Sequence, residues 1–412
     1  MKQPAVTLVG MGEEGCLGLS ARAFHAVRQA QILVGHPRFL EFFPDFSGEK
    51  IPLEGPLKKQ LQGLAERTGE AHLVLLASGD PLFFGVGSIA LQIFGREHVG
   101  FIPAPSSVQL AFAAAQIPWS DAQLLSIHGR SIHGLVAKLR WAKKAALLCD
   151  PDNSPQRVAL HLREYNDTAW EAIVCEALGG PEQRVRRFTL EALAETRDLH
   201  ELCVLLLVRP ESWRAPSSLS YALEEHFARR MPKLGLITKR EIRLLSLGAL
   251  QLQRDSVVWD IGAGSGAVGI EASFLAPEGR VYAIECDPEG QIICQENIKT
   301  LGADNVELIA GTAPDACAAL EAPDAVFVGG SKGRLDAIIL QAYERLNAGG
   351  RLVVNAITLE NVSKTIQTFE ELGFAYDVQL VQVSRSVPLA GKYHRYEALN
   401  PIHIFSLQKG TP

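Results

Sequence analysis

Three glycines at alternate positions, Gly262, Gly264 and Gly266, separate a short apolar run from an apolar helical stretch, and their spacing implies chemistry more directly than any other part of this 412-residue chain. Val257, Val258 and Ile261 predict a buried strand with Asp260 at its end, and helical periodicity resumes over 267–275. Glycines so placed let the backbone turn tightly and bring N–H groups against a ligand. The helix start behind them carries partial positive charge, which suits an anionic group. The next predicted strand, 280–284, ends on Glu285, an acid positioned to accept hydrogen bonds from two ribose hydroxyls. The stretch reads as a nucleoside site, with Gly262, Ala263, Gly264, Ser265, Gly266 and Glu285 as its cofactor-binding residues. Gly311-Thr312-Ala313, after the third predicted strand, is where the base is expected.

The glycines alone leave two cofactors open. Gly264, Gly266 and Gly269 also satisfy the dinucleotide fingerprint, so an NAD(P)-dependent oxidoreductase remains an alternative. The wording Asp260-Ile261-Gly262-Ala263-Gly264-Ser265-Gly266 resembles the first motif of class I methyltransferases. That resemblance implies S-adenosyl-L-methionine (SAM), with its amino-acid end at the glycine loop and its ribose at the acid.

The elements around this loop alternate. Strands are predicted at 257–261, 280–284, 306–309, 325–328 and 351–355, with helices between them, for example over 289–301 and 336–346. Such alternation predicts a parallel sheet covered on both faces. Two further strands, 376–383 and 403–408, have no helix between them and are expected to pair antiparallel at one edge. Thr238 and Glu241 are spaced as a capping box before a helix over 242–250; Thr238 at that helix start is also a candidate cofactor contact, and Lys239 beside it a candidate for catalysis or carboxylate binding. Arg385, Lys392, His394 and Arg395 fall in what reads as one loop between the last two strands. Arg243, Arg385, Lys392 and Arg395 are the candidates for binding substrate carboxylates, and His394 is the candidate proton donor.

The first half carries a different pattern. Predicted strands at 5–9, 73–77, 99–102 and 124–127 each lead into residues suited to ligand contact. These are Val9-Gly10-Met11-Gly12, Ser78-Gly79-Asp80-Pro81, Pro105-Ser106-Ser107 and His128-Gly129-Arg130. Asp80 also suits a capped turn, and Ser106 or Ser107 a helix N-cap. Together, and in this order, the four segments resemble the tetrapyrrole methylase family. The resemblance implies a two-lobed α/β fold with SAM in the cleft, and Gly10, Gly79, Asp80, Ser106, Ser107 and His128 as its contacts. One departure is visible: the family's first loop commonly reads Gly-x-Gly-Pro-Gly, whereas Glu13-Glu14-Gly15 follows Gly12 here.

Thr238-Lys239-x-Glu241-x-Arg243, Ala283-Ile284-Glu285, Gly311-Thr312-Ala313-Pro314, Phe327-Val328-Gly329-Gly330-Ser331 and Asn400-Pro401 extend the resemblance of the second half. They are similar to decarboxylating C15-methyltransferases of cobalamin biosynthesis. The expected class is therefore α/β, an N-terminal two-lobed tetrapyrrole methylase fold joined to a C-terminal doubly wound, Rossmann-like class I methyltransferase fold. The expected domains are 1–208 and 233–412, with a joint over 209–232 that is punctuated by Pro210, Pro216, Ser217, Ser218, Ser220 and Pro232 and holds a short helix over 222–230. For the fused methyltransferases of cobalamin biosynthesis the resemblance implies two SAM sites acting on one tetrapyrrole. It implies methylation of precorrin-6Y, or the reduced precorrin-6B, at carbons 5 and 15, with decarboxylation of the carbon-12 acetate to give precorrin-8.

Composition bounds the partners. The formal charge of −6 argues against a broad nucleic-acid surface, which disfavours the remaining alternative of an RNA methyltransferase. Seven cysteines without a Cys-x-x-Cys pair fit neither a disulfide framework nor a zinc site, so no metal is expected. Apolar runs such as 202–208 are strand-sized and too short to span a bilayer. No signal peptide is read, and a cytoplasmic homo-oligomer without membrane contact is expected. One domain serving only as a scaffold for the other is a further reading, separable by assaying the two halves apart.

Overall fold

A computed structural model describes residues 5–69, 71–216, 223–228 and 237–410. The chain forms two compact units. One gathers residues 1–130, 143–160 and 169–213, and the other 131–142, 161–168 and 214–412. Of the expected joint, Ser217, Ser218, Ser220 and Pro232 lie outside the described residues, as do both ends of the helix expected over 222–230. Its described part holds a single 3-10 turn, Glu224–His226.

The first unit contains two sheets among its described residues. Strands β1 (Val6–Met11), β2 (Ile32–Gly35), β3 (Glu49–Pro52), β4 (Leu73–Ser78) and β5 (Val99–Ile102) form an all-parallel sheet in the order 3-2-4-1-5. Alternation along these strands buries both faces: Val9, Met11, Leu33, Val74 and Leu76 go to one core, and Leu8, Ile32, Val34, Leu73 and Leu75 to the other. Strands β6 (Gln123–Ser126), β7 (Lys144–Leu148), β8 (Glu171–Glu176), β9 (Arg184–Thr189) and β10 (Cys203–Val208) form a mixed sheet in the order 6-7-10-8-9. Helix Ser107–Ala115 packs on β8 and β10 and starts with a capping box between Ser106 and Gln109.

The sheet of the second unit has the order 13-12-11-14-15-19-16. It comprises β11 (Val257–Ile261), β12 (Arg280–Glu285), β13 (Val306–Ala310), β14 (Ala325–Val328), β15 (Arg351–Ala356), β16 (Tyr376–Val381) and β19 (Ile402–Gln408). The first five strands are parallel, and β19 pairs antiparallel with both β15 and β16. The expected antiparallel edge is present. Both faces are again covered: Val258, Val281 and Phe327 point to one core, Trp259, Tyr282 and Val326 to the other. The segment read as a loop is instead a hairpin, β17 (Ser384–Ala390) with β18 (Tyr393–Ala398). Its alternation puts Arg385 and Arg395 on one face and His394 on the other, so the four basic residues do not converge.

Two segments from inside the first expected domain, 131–142 and 161–168, pack with the second unit for a local reason. The Asp304 carboxylate accepts the N–H groups of Val136 and Ala137, each at 2.9 Å, at the start of helix Leu135–Leu139. His161 Nε2 meets the same carboxylate at 2.9 Å, and the Arg140 guanidinium lies 3.5 Å from the centre of the Phe274 ring. Asp304→Ala strands two helix N–H groups and one imidazole in a dry setting. It should lower unfolding stability by about 2 kcal/mol. Denaturant unfolding checks this, and a change below about 0.5 kcal/mol would show that Asp304 is not the anchor.

Candidate active sites

The glycine turn of the second unit is built by close backbone approach. Gly262, Gly264 and Gly266 all adopt left-handed φ, at 74°, 56° and 76°. A Cβ on Gly262 would stand 2.7 Å from the backbone of Gly330, so the loop after β11 and the loop after β14 touch main chain to main chain. A Cβ on Gly266 would meet Cys294 Sγ at 2.6 Å. Around Gly264 nothing among the described residues beyond its chain neighbours lies within 4 Å of such an atom, which leaves that side of the turn open.

Two buried acids brace the turn. Glu285, at the end of β12, accepts the Gly264 N–H on Oε2 at 2.7 Å and the Asp287 N–H on Oε1 at 2.8 Å. Oε1 also receives a weak contact from the Cys286 thiol at 3.6 Å, and Oε2 keeps a lone pair for a further donor. Asp260 is wholly buried, and its Oδ2 accepts the Gly269 N–H at 2.7 Å. A Cβ at position 269 would stand 2.8 Å from that oxygen, which is why glycine occupies it. Asp260 Oδ1 has no hydrogen-bond partner among the described residues. Burial pushes the Asp260 carboxyl up to about 7; the Gly269 N–H opposes the shift and the nearby Glu285 adds to it.

A cavity of about 190 Å³ opens beside these groups, lined by Gly262, Glu285, Gly311, Thr312, Ala313, Gly330, Ser331 and Lys332 among others. Ala263, Gly264, Ser265 and Gly266 continue the turn beyond the cavity wall, with Ala263 packed on the core. Asn297, which the sequence reading missed, holds this turn from behind. Its side-chain amide donates to Ser265 O at 2.8 Å and Ala228 O at 3.1 Å, and its Oδ1 accepts the Ala228 N–H at 2.7 Å. An asparagine within an amphipathic helix carries no local sign of such a role.

Several expectations near this site are corrected. Arg243 does not face a substrate: it is fully buried, ion-paired to Glu271 at 2.9 Å and hydrogen-bonded to Thr238 O at 2.6 Å. Its position on helix Arg240–Leu250 faces the neighbouring helix Ala267–Leu275, where an unpaired guanidinium would be costly. Arg385 is clamped by Glu224 at 2.8 Å and by Glu241, so its fork is already occupied. These hydrogen bonds from Arg385 and the Arg240 N–H hold Glu224 down to about 2, against the burial that would raise it. The Thr238/Glu241 capping box does not form; Lys239 is the N-cap residue, without a side-chain cap, and Glu241 turns to Arg240 and Arg385. Lys239 and Thr238 lie at this helix start and off the cavity wall. Lys392, His394 and Arg395 are exposed on the hairpin, with His394 Nδ1 3.2 Å from Ser386 Oγ and Arg395 3.4 Å from Glu397. The structure does not bring them to the cavity.

In the first unit, Gly10 is a keystone of backbone packing. A Cβ there would fall 1.9 Å from Gly79 O and 2.4 Å from Ala104 N, so the loops after β1, β4 and β5 meet over it. Gly10 therefore shapes the site without lining it. A cavity of about 300 Å³ is lined by Met11, Gly79, Ser107, His128 and Asp150 among others, and an adjoining one of about 350 Å³ by His36, Asp80, Phe84, Ser106 and Ser107 among others. Asp80 accepts the Leu82 N–H at 2.9 Å, forming the capped turn. His128 lies 3.4 Å from Cys149 O. Asp150 accepts the Gly129 N–H at 2.5 Å and the Asn153 N–H at 2.6 Å. Those donors hold its carboxyl below the usual range against partial desolvation. Cys149, Cys175 and Cys203 also line the cleft of Met11 and His128. Burial pushes Cys175 up to about 12 and Cys203 up to about 11, so both stay neutral thiols that pack as small apolar groups.

Among the described residues no group of three or more His, Cys, Asp or Glu is placed to hold a metal ion. No helix of the described residues is long and apolar enough to cross a membrane.

The strand order of the second unit, with its antiparallel edge and its glycine turn facing Glu285, defines a class I methyltransferase fold. Residues 232–409 match the profile of the precorrin methyltransferase domain, and residues 5–194 that of the tetrapyrrole (corrin/porphyrin) methylases. A precorrin-6Y C(5,15)-methyltransferase [decarboxylating] from Sinorhizobium sp is 32% identical over 418 residues, covering 99% of this chain and 97% of its own length. The enzyme of the same name from Mycobacterium tuberculosis is 32% identical over 376 residues, 89% of this chain and 91% of its own. A probable cobalt-precorrin-6B C(15)-methyltransferase (decarboxylating) from Pyrobaculum calidifontis matches at 38% identity over 172 residues, 41% of this chain and 87% of its own. The chain belongs to the precorrin-6Y C(5,15)-methyltransferase [decarboxylating] family.

Proposed function

We propose that this chain uses two SAM sites, one in each unit, to methylate precorrin-6Y at carbons 5 and 15 and to decarboxylate the acetate at carbon 12. The observation that carries the reading is that each unit sets residues of its own motif on a cavity wall: Gly262, Glu285 and Gly311–Ala313 in one, Gly79, Ser107 and His128 in the other. The residues fit the cofactor. Glu285 keeps acceptor capacity for ribose hydroxyls after taking two backbone N–H groups, and the open side of Gly264 leaves room for a close approach. When bound, SAM supplies an electrophilic methyl group on a sulfonium.

With so strong a donor the residues mainly align and exclude. The small rim of Gly329, Gly330 and Ser331 admits the edge of a bulky ring, and alignment supplies much of the rate. An electron-rich ring carbon is the nucleophile, so no activated serine or cysteine is needed. For the decarboxylation, the conjugated macrocycle accepts the electron pair of the breaking carbon–carbon bond. Lys239, Lys392 and Arg395 stay as proposed partners only for carboxylates that reach beyond the cavity, and no proton-donor role is assigned to His394, which stands away from it.

The setting is proposed to be cytoplasmic, and the assembly a homo-oligomer. Exposed Leu389, Tyr393 and Tyr396 on the hairpin support self-association, which light scattering at several concentrations measures. Mass spectrometry of the product made from precorrin-6Y and labelled SAM tests the chemistry. Two labelled methyl groups gained and one carbon dioxide lost are expected. A product with a single methyl would remove one of the two sites.

A further inference from the structure

Among the described residues, six that are not glycine hold a left-handed backbone: Phe84, Gln116, Asn166, Ala177, Gln251 and Lys332. Gln116 and Gln251 are C-caps of helices, where this conformation closes the last turn. Asparagine visits it more readily than other side chains, which accounts for Asn166. Phe84, Ala177 and Lys332 end no helix. Each of the three lines one of the cavities described above. Strain held on a cavity wall without a local structural need points to function.

Lys332 is the most telling of the three. Among the described residues it is the one cation on the wall of the cavity in the second unit. The one carboxylate described on that wall, Glu285, accepts the N–H groups of Gly264 and Asp287 and makes no ion pair with Lys332. No ion pair within 4 Å engages Lys332 among the described residues, while nearby Arg334 is committed to Asp315 at 2.6 Å and Lys364 to Asp336 at 2.8 Å. Arg243 and Arg385, two of the four cations expected to receive substrate carboxylates, are spent inside the protein. Lys332 follows the two small residues, Gly330 and Ser331, that keep the cavity rim low.

We infer that Lys332 is a specificity-determining residue of the second unit, binding a peripheral carboxylate of the tetrapyrrole. This rests on the function proposed above. The lysine occupies a backbone conformation that glycine would adopt without strain, and its ammonium is the return for that strain.

The test uses the full-length protein with precorrin-6Y and SAM, reading carbon dioxide release for the second unit and calorimetry for SAM binding. Lys332→Gln should raise KM for precorrin-6Y roughly tenfold and weaken its dependence on ionic strength, with SAM affinity unchanged. Lys332→Arg should recover most of the loss. Lys332→Gly relaxes the backbone, so it should melt no lower than the parent yet share the KM defect, which a purely structural lysine would not produce. Equal KM in parent and Lys332→Gln overturns the inference alone. A fall in SAM affinity with KM for the tetrapyrrole unchanged also overturns it, since the ammonium would then pair with the cofactor. A parent protein that releases no carbon dioxide from precorrin-6Y overturns the functional reading and this inference together.

Discussion

Replacing Asp260 by asparagine should flatten the pH dependence of stability between pH 4 and 7 and leave the variant the more stable protein at pH 8. The folded protein pushes this carboxyl up to about 7 from an ordinary value near 3.8, chiefly because burial penalises its ionised form. A group whose folded pKa is raised contributes stability that is complete below the unfolded value. That stability is lost as pH climbs through the folded one. The loss therefore runs from about pH 4 to about pH 7 and levels off above, and a shift of this size corresponds to roughly 4 kcal/mol. Asparagine keeps an oxygen for the Gly269 N–H and never ionises. Urea unfolding of both proteins at half-unit pH steps, without ligand, measures the difference. Parallel curves would mean that Asp260 does not titrate in this window.

Glu285→Gln should remove one of two SAM equivalents bound per chain. The carboxylate takes one backbone N–H from the glycine turn and one from its own loop, and is proposed to take two ribose hydroxyls. The amide turns one of its acceptors into a donor that faces donors. Affinity in the second unit should fall about 100-fold, close to 3 kcal/mol. Binding in the first unit should stay as it was, so a calorimetric titration would pass from two equivalents to one. Two equivalents retained at parental affinity would refute the ribose assignment, and a single equivalent in the parent would refute the paired-site reading.

The parts of the fold that were legible in the sequence are those whose cause is local. Buried parallel strands such as Val257–Ile261 and Ala325–Val328 announce themselves as unbroken apolar runs, since both faces meet helices. Glu49–Pro52 is only four residues long and partly exposed, so it carries no such run. Arg184–Thr189 looks like a solvated charge run because its arginines are matched only once the neighbouring strand β8 lies beside it. Glu176, with its side chain buried, takes both Arg184 and Arg186 at 2.8 Å. The hairpin over 384–398 is largely exposed and mixes polar with apolar side chains on both faces, which erases the alternation that marks a half-buried strand.

The site divides in the same way. The glycine turn, Glu285 and Gly311–Ala313 were readable because each sits at the end of its own strand. Residue type alone misled for Arg243, since a basic residue on a helix does not declare which neighbour it faces. Asn297 and Lys332 were invisible for the complementary reason. One acts through main-chain atoms of Ala228 and Ser265, and the other is marked only by its backbone conformation.

The clasp between Glu224 and Arg385 has a practical consequence for anyone wishing to excise the second unit. Residues 223–228 precede the glycine turn in the chain, yet Phe227 is buried in its core, Ala228 is held by Asn297, and Glu224 grips a hairpin 161 positions downstream. A fragment begun at 232 would lose all three attachments and leave Arg385 with Glu241 alone. Cloning from a point ahead of Leu223 keeps the hairpin moored and the turn backed by its asparagine.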